Sequence, residues 1–154
     1  MRNIVLAALC FAIPAQIEAG ERVVGVNTYV RKVESWPLDT DGMAGSYWRQ
    51  NNYGSFRMTE GDFAPGLVEC IGAGFGMPSG VRGEGICLFD TEGDRFIMVW
   101  QAVPGEMNSW QIVSGTGRFA GIRGEGTAKS RILSEFTALQ QLETTWEGEI
   151  TLPE

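Results

Sequence analysis

The sequence predicts an all-β domain, mostly antiparallel, of the sandwich or barrel kind. Three observations point there. From Glu21 onward the apolar residues recur with a period of two rather than 3.6. Short alternating or apolar runs are separated by polar turn signals that carry glycine. Glycine is abundant, at 21 of 154 residues, without the three-residue repeat of a collagen. A chain of this length fits one domain, expected over 20–154.

The N-terminus is of a different kind. Met1-Arg2-Asn3 is short and positive, and the stretch from Ile4 to Ile13 is apolar. Ten residues span about 15 Å of helix, half of what a bilayer core demands. Residues 1–19 are therefore expected to be a cleavable secretory signal rather than an anchor, with a buried N-terminal helix or strand as the alternative. The mature domain is expected to be secreted or periplasmic and free of the membrane.

Strands are expected over 21–33, 45–50, 54–60, 66–73, 81–90, 94–103, 108–115, 121–132 and 143–152. Asp39-Thr40-Asp41-Gly42 and Thr91-Glu92-Gly93-Asp94 are polar turns with a glycine for positive φ. Pro104-Gly105 breaks the chain before the next run. Residues 133–142 are the one stretch expected to be helical. An internal echo stands out: Gly80-Val81-Arg82-Gly83-Glu84-Gly85 recurs as Gly121-Ile122-Arg123-Gly124-Glu125-Gly126. Alternation puts Arg and Glu of each copy on one face and the glycines on the other, where close backbone approach is allowed.

Charge and composition exclude several functions. The net charge is −7, with no basic stripe, which argues against nucleic acid or an anionic membrane as partner. Histidine is absent, which removes the commonest general base and metal ligand. No serine can then belong to a Ser-His-Asp site. Gly72-Ala73-Gly74-Phe75-Gly76 lacks the following helix of a dinucleotide loop. Asp39-x-Asp41-Gly42 lacks the later ligands of a calcium loop. No metal and no cofactor are expected.

Cys70 and Cys87 survive signal cleavage. Both lie in strand-like runs, with Pro78, Ser79 and Gly80 midway between them. In an oxidising compartment the pair is expected to form a disulfide across a hairpin; two buried thiols are the alternative. Aromatic residues recur on alternating positions. Phe96, Met98, Trp100 and Ala102 share one face, and Trp146, Gly148 and Ile150 share another. Such residues either fill a core or line an apolar cavity, and the candidate ligand-binding set is Tyr29, Trp48, Phe96 and Trp100.

The run Gly115-Thr116-Gly117-Arg118-Phe119-Ala120-Gly121-Ile122-Arg123-Gly124 resembles the glycine-rich strand entry of dirigent proteins and allene oxide cyclases. Gly85-Ile86-Cys87-Leu88 followed by Gly93-Asp94-Arg95-Phe96 resembles a hairpin of the cyclases. The resemblance implies a closed antiparallel barrel of eight strands, often trimeric and free of cofactors. It implies catalysis, where there is any, by holding a hydrophobic substrate in one conformation. The cyclases use a glutamate of the first strand and a cavity cysteine; Cys87 matches the cysteine and Glu34 is the nearest glutamate. The leading expectation is an exported barrel that holds a small hydrophobic ligand. A cyclase or isomerase and an oligomeric interaction protein are the alternatives.

Overall fold

The computed structural model describes residues 20–40, 43–136 and 139–152. The expected signal (1–19) and the Asp41-Gly42 tip of the first turn lie outside them. Eight strands, β1 (Glu21–Thr40), β2 (Met43–Glu60), β3 (Gly66–Met77), β4 (Gly80–Thr91), β5 (Asp94–Ala102), β6 (Asn108–Gly115), β7 (Arg123–Phe136) and β8 (Leu139–Thr151), follow one another in the chain. Each pairs antiparallel with the next, and β8 returns to β1, so the barrel is closed. Closure removes the free edges an open sheet would expose. A short 3-10 helix, Gly117–Phe119, connects β6 to β7.

Two expectations are corrected. Asn51-Asn52-Tyr53, read as a gap between two strands, continues β2: it pairs with Lys32 to Val30 on one side and with Ile71 to Glu69 on the other. Pairing on both sides outweighs the weak strand preference of asparagine. The expected helix at 133–142 is instead the end of β7 and the start of β8, with Ser134 opposite Gln141 and Phe136 opposite Leu139. Its residues favour helix locally, but ladder hydrogen bonds to the neighbouring strand decide the outcome. The Glu92-Gly93 turn behaves as expected, with φ of 57° and 90° at its two central residues. Pro37 lies beyond Lys32, where β8 stops pairing, so β1 has a neighbour there on one side only.

The two ends of the barrel differ. One end is plugged by Phe63 from the β2–β3 loop and by Phe119 and Ile122 from the 3-10 segment, each buried. These meet Phe56, Phe89 and Phe96 in one aromatic block. Phe89 and Phe96 stack at 4.5 Å, and Phe96 meets Phe119 edge-on at 5.2 Å. Contacts of this kind add about 0.5–1.5 kcal/mol each beyond area burial. Thr91, 1% exposed, donates to Ala64 O at 3.1 Å and accepts from Arg118, which ties the plug to β4. At the opposite end lie the β3–β4 and β5–β6 turns, together with the last residues of β1 and β7 and the first of β2 and β8.

Between the ends, indole rings lie against cross-strand glycine pairs. Gly74 faces Gly83 and Gly72 faces Gly85 across β3–β4, and Gly126 faces Gly148 across β7–β8. A Cβ on Gly74 or Gly83 would come within 2.7 Å or 2.5 Å of the Trp48 ring. On Gly72 or Gly85 it would come within 2.2 Å or 2.6 Å of Trp100, and on Gly126 or Gly148 within 2.6 Å of Trp110. Trp146 lies against Gly25 of β1 in the same way, at 2.2 Å. The echoed Gly-Glu-Gly of β4 and β7 turns its glutamates outward and its glycines inward: Gly83, Gly85 and Gly126 seat indoles, while Gly124 lies against Ile112 and Ile150.

This packing makes Gly83→Ala and Gly126→Ala costly, by about 1–3 kcal/mol as overpacking usually is. Gly76→Ala meets only the Ser46 hydroxyl at 3.1 Å and should cost far less. Urea-denaturation midpoints of the three variants check this, and equal losses would contradict it.

Candidate functional site

The inner face of the open end encloses a cavity of about 580 Å³. Alternation places its walls. From β1 come Asn27, Tyr29, Arg31, Val33 and Ser35; from β2 come Ser46, Trp48, Gln50 and Asn52. β8 adds Gln140, Leu142, Thr144 and Trp146, while Met98, Trp100 and Trp110 close the far side. The cavity is two-sided. The β8–β1–β2 wall is rich in amides, hydroxyls and one guanidinium. The β3–β6 wall is indole, thioether and disulfide, the indoles covering the paired glycines behind them.

The sulfurs of Cys70 and Cys87 are bonded, and the two residues face one another across β3–β4. They stand in the cavity wall beside Tyr29, whose hydroxyl lies 3.3 Å from Cys70 Sγ. Trp146 Nε1 donates to Asn27 Oδ1 at 2.9 Å, and Asn27 Nδ2 donates in turn to the Tyr29 hydroxyl. This buried chain fixes the phenol at the cavity base. Burial pushes the Tyr29 phenol well above its ordinary value of 10.0, and the Asn27 hydrogen bond only partly opposes this.

Arg31 is the charged group on the polar wall. Its Nε and Nη2 donate to Gln140 Oε1, the first at 2.9 Å, and its Nη1 donates to Gln50 Oε1 at 3.2 Å. Burial lowers its pKa, and the field of Glu135 raises it in part. Glu135 itself accepts from Gln140 Nε2 at 2.7 Å. Among the described residues no carboxylate lies within 4.0 Å of the guanidinium. Two polar atoms on the cavity wall are buried without a hydrogen-bond partner among the described residues: Trp48 Nε1 and Asn52 Oδ1.

Of the residues chosen from sequence, Tyr29, Trp48 and Trp100 line the cavity together. Phe96 does not. It faces inward but sits in the plugged end, 0% exposed and stacked on Phe89, so alternation found its face and missed its height along the barrel. Glu34 is a second correction. An even position on β1, it points outward and pairs with Arg49 at 3.1 Å and Lys32 at 3.3 Å. Hydrogen bonding to Lys32 leads the interactions that hold its carboxylate below the ordinary range, so it is no cavity acid. Arg82 and Arg123 are exposed on the outer face. Sequence reasoning passed over Arg31, Gln50, Asn52 and Gln140. The signal was present for one of them, since Arg31 is two residues beyond Tyr29 on the same face.

A larger hollow, of about 830 Å³, lies on the outside of the barrel between Glu84, Ile86, Gln111, Glu125 and Glu149. These residues have outward parity, so it is a surface groove rather than an interior chamber. Among the described residues no group of three acidic or sulfur side chains is gathered to hold a metal. No described helix is long and apolar enough to cross a membrane.

No protein-family model matches the chain, and no curated protein matches it. Among solved structures, the pterocarpan synthase dirigent protein superposes over 96% of this chain and 100% of its own, with 15% identity and a TM-score of 0.47. At that distance no residue role passes from it to this chain.

The wall chemistry generates two expected outcomes. Replacing both Cys70 and Cys87 by alanine opens a link spanning 17 residues and should lower stability by about 3 kcal/mol, read from denaturant curves; an unchanged midpoint would contradict the wall's dependence on the disulfide. The second concerns alkaline pH. The fold holds the Tyr29 proton where the unfolded chain releases it, so stability falls as pH rises above about 10. Tyr29→Phe should flatten that fall in pH-dependent unfolding curves, and an equally steep fall in the variant would argue against it.

Proposed function

We propose that this chain is an exported barrel that holds one small amphipathic ligand in its open end. The observation that carries the reading is the two-sided cavity, with an indole wall facing an amide-and-guanidinium wall. Its volume of about 580 Å³ falls in the range of small-molecule sites. The lining sharpens the expected ligand from hydrophobic to amphipathic, because a purely apolar guest would strand Asn52 and Arg31. The buried Trp48 Nε1 and Asn52 Oδ1 await partners that a ligand supplies. Export is supported by the Cys70–Cys87 disulfide, a bond that persists in oxidising compartments.

The cyclase alternative loses both residues the resemblance offered it. Glu34 is outside the barrel and Cys87 is spent in the disulfide. What remains to the site is orientation of a guest, which the rigid indole seats supply.

The test is a fluorescence titration with the neutral dye N-phenyl-1-naphthylamine. The expected result is saturable tryptophan quenching at one site per chain, abolished by Thr144→Trp, which fills the cavity from β8. Quenching that never saturates, or that survives Thr144→Trp unchanged, would overturn the reading.

A further inference from the structure

The geometry points to a selectivity for planar aromatic carboxylates, with Arg31 as the residue that recognises the anion. This rests on the ligand-binding reading above and names the ligand class. Three features of the cavity carry it.

The first is the platform. Trp48 and Trp100 reach in from β2 and β5 over the same glycine-paired β3–β4 ladder. Their rings are parallel to within 6°, with centroids 6.4 Å apart. Seated against the same glycine-paired ladder, the two indoles offer parallel apolar ring faces. Such a surface favours a fused planar ring over a flexible chain, because a rigid ring covers it with little loss of conformational freedom.

The second is the guanidinium. Arginine carries five N–H donors. At Arg31 three are used, on two neutral glutamine carbonyls, which leaves one on Nη1 and one on Nη2. The glutamines orient the group without neutralising it. Paired N–H donors on a planar fork are the geometry that a carboxylate accepts. In a chain of net charge −7, the described charged side chains lining this cavity are Arg31 and, on the exposed rim loop, Glu106.

The third is independent of both. Asn52 is the register partner of Arg31 across β1–β2 and is only 4% exposed. Its Oδ1 lacks a partner, as does Trp48 Nε1 on the same strand. Among the described residues an acceptor thus stands unpaired on the strand position opposite Arg31, and a donor stands unpaired farther along the same strand on the indole platform, each open to a polar substituent on the guest.

The test compares 2-naphthoate with 2-naphthamide, near-isosteres that differ in charge, by calorimetric or fluorescence titration near neutral pH. The wild-type chain should bind naphthoate about tenfold or more tightly than the amide, the usual worth of a charge-assisted hydrogen bond. Arg31→Gln should erase that preference, bringing naphthoate down to the amide's affinity, while an unchanged circular-dichroism spectrum and unfolding midpoint show that the variant folds. Equal affinities in the wild type, or a preference that survives Arg31→Gln, would overturn the selectivity and leave N-phenyl-1-naphthylamine binding intact. Failure of both naphthyl probes with the dye still bound overturns it as well; failure of all three overturns the binding reading itself.

Discussion

The seating of indole rings on cross-strand glycine pairs is the constraint on which the rest of the barrel depends. A residue with a Cβ at Gly72, Gly74, Gly83 or Gly85 would lift Trp48 or Trp100 off the β3–β4 wall and into the lumen. The glycines weaken their strands locally, since each carries more conformational entropy to lose. The rings recover that cost by covering backbone that would otherwise face the cavity. Trp110 and Trp146 complete the pattern on β7, β8 and β1, and there the indole nitrogens are also satisfied, by Thr127 O and Asn27 Oδ1 at 2.9 Å each.

That arrangement divides the barrel. Toward the plugged end large phenylalanines meet across the lumen and fill it. Toward the open end the large rings lie flat against the walls, so the centre stays clear. The Cys70–Cys87 disulfide lies in the wall between the two regimes and constrains the β3–β4 hairpin that supplies the glycine surface. The same division explains why, among the described residues, Trp48 and Asn52 retain unpartnered polar atoms while the plugged end satisfies its Thr91.

Much of this was legible in the sequence. Period-two alternation and turn chemistry gave most strand positions and the shared face of Phe96, Met98 and Trp100, while the closed eight-strand barrel was implied by the dirigent and cyclase resemblance. The spacing of Cys70 and Cys87 about Pro78-Ser79-Gly80 marked their hairpin. The Gly-Glu-Gly echo signalled a repeated geometric task, though not that the task was to seat tryptophans. Three things were hidden for physical reasons. Alternation reports a residue's face and not its height, which is why Phe96 was placed in the cavity. Local propensity cannot see a neighbouring strand, so residues 133–142 read as helix. Arg31 was passed over, because its environment is made by Gln50 and Gln140, 19 and 109 residues away in the chain.

The central claim is that Trp48, Trp100, Trp110 and Trp146 border an accessible chamber, whereas Trp36 on the outer face does not. The chain has five tryptophans, so its indole N–H signals can be followed one by one in a nitrogen–proton correlation spectrum. On titration with 2-naphthoate the account predicts saturable shifts led by Trp48, whose Nε1 has no partner, and Trp100, with Trp36 on the outer face unmoved. Shifts led by Trp36, or a uniform small drift of all five signals, would contradict it.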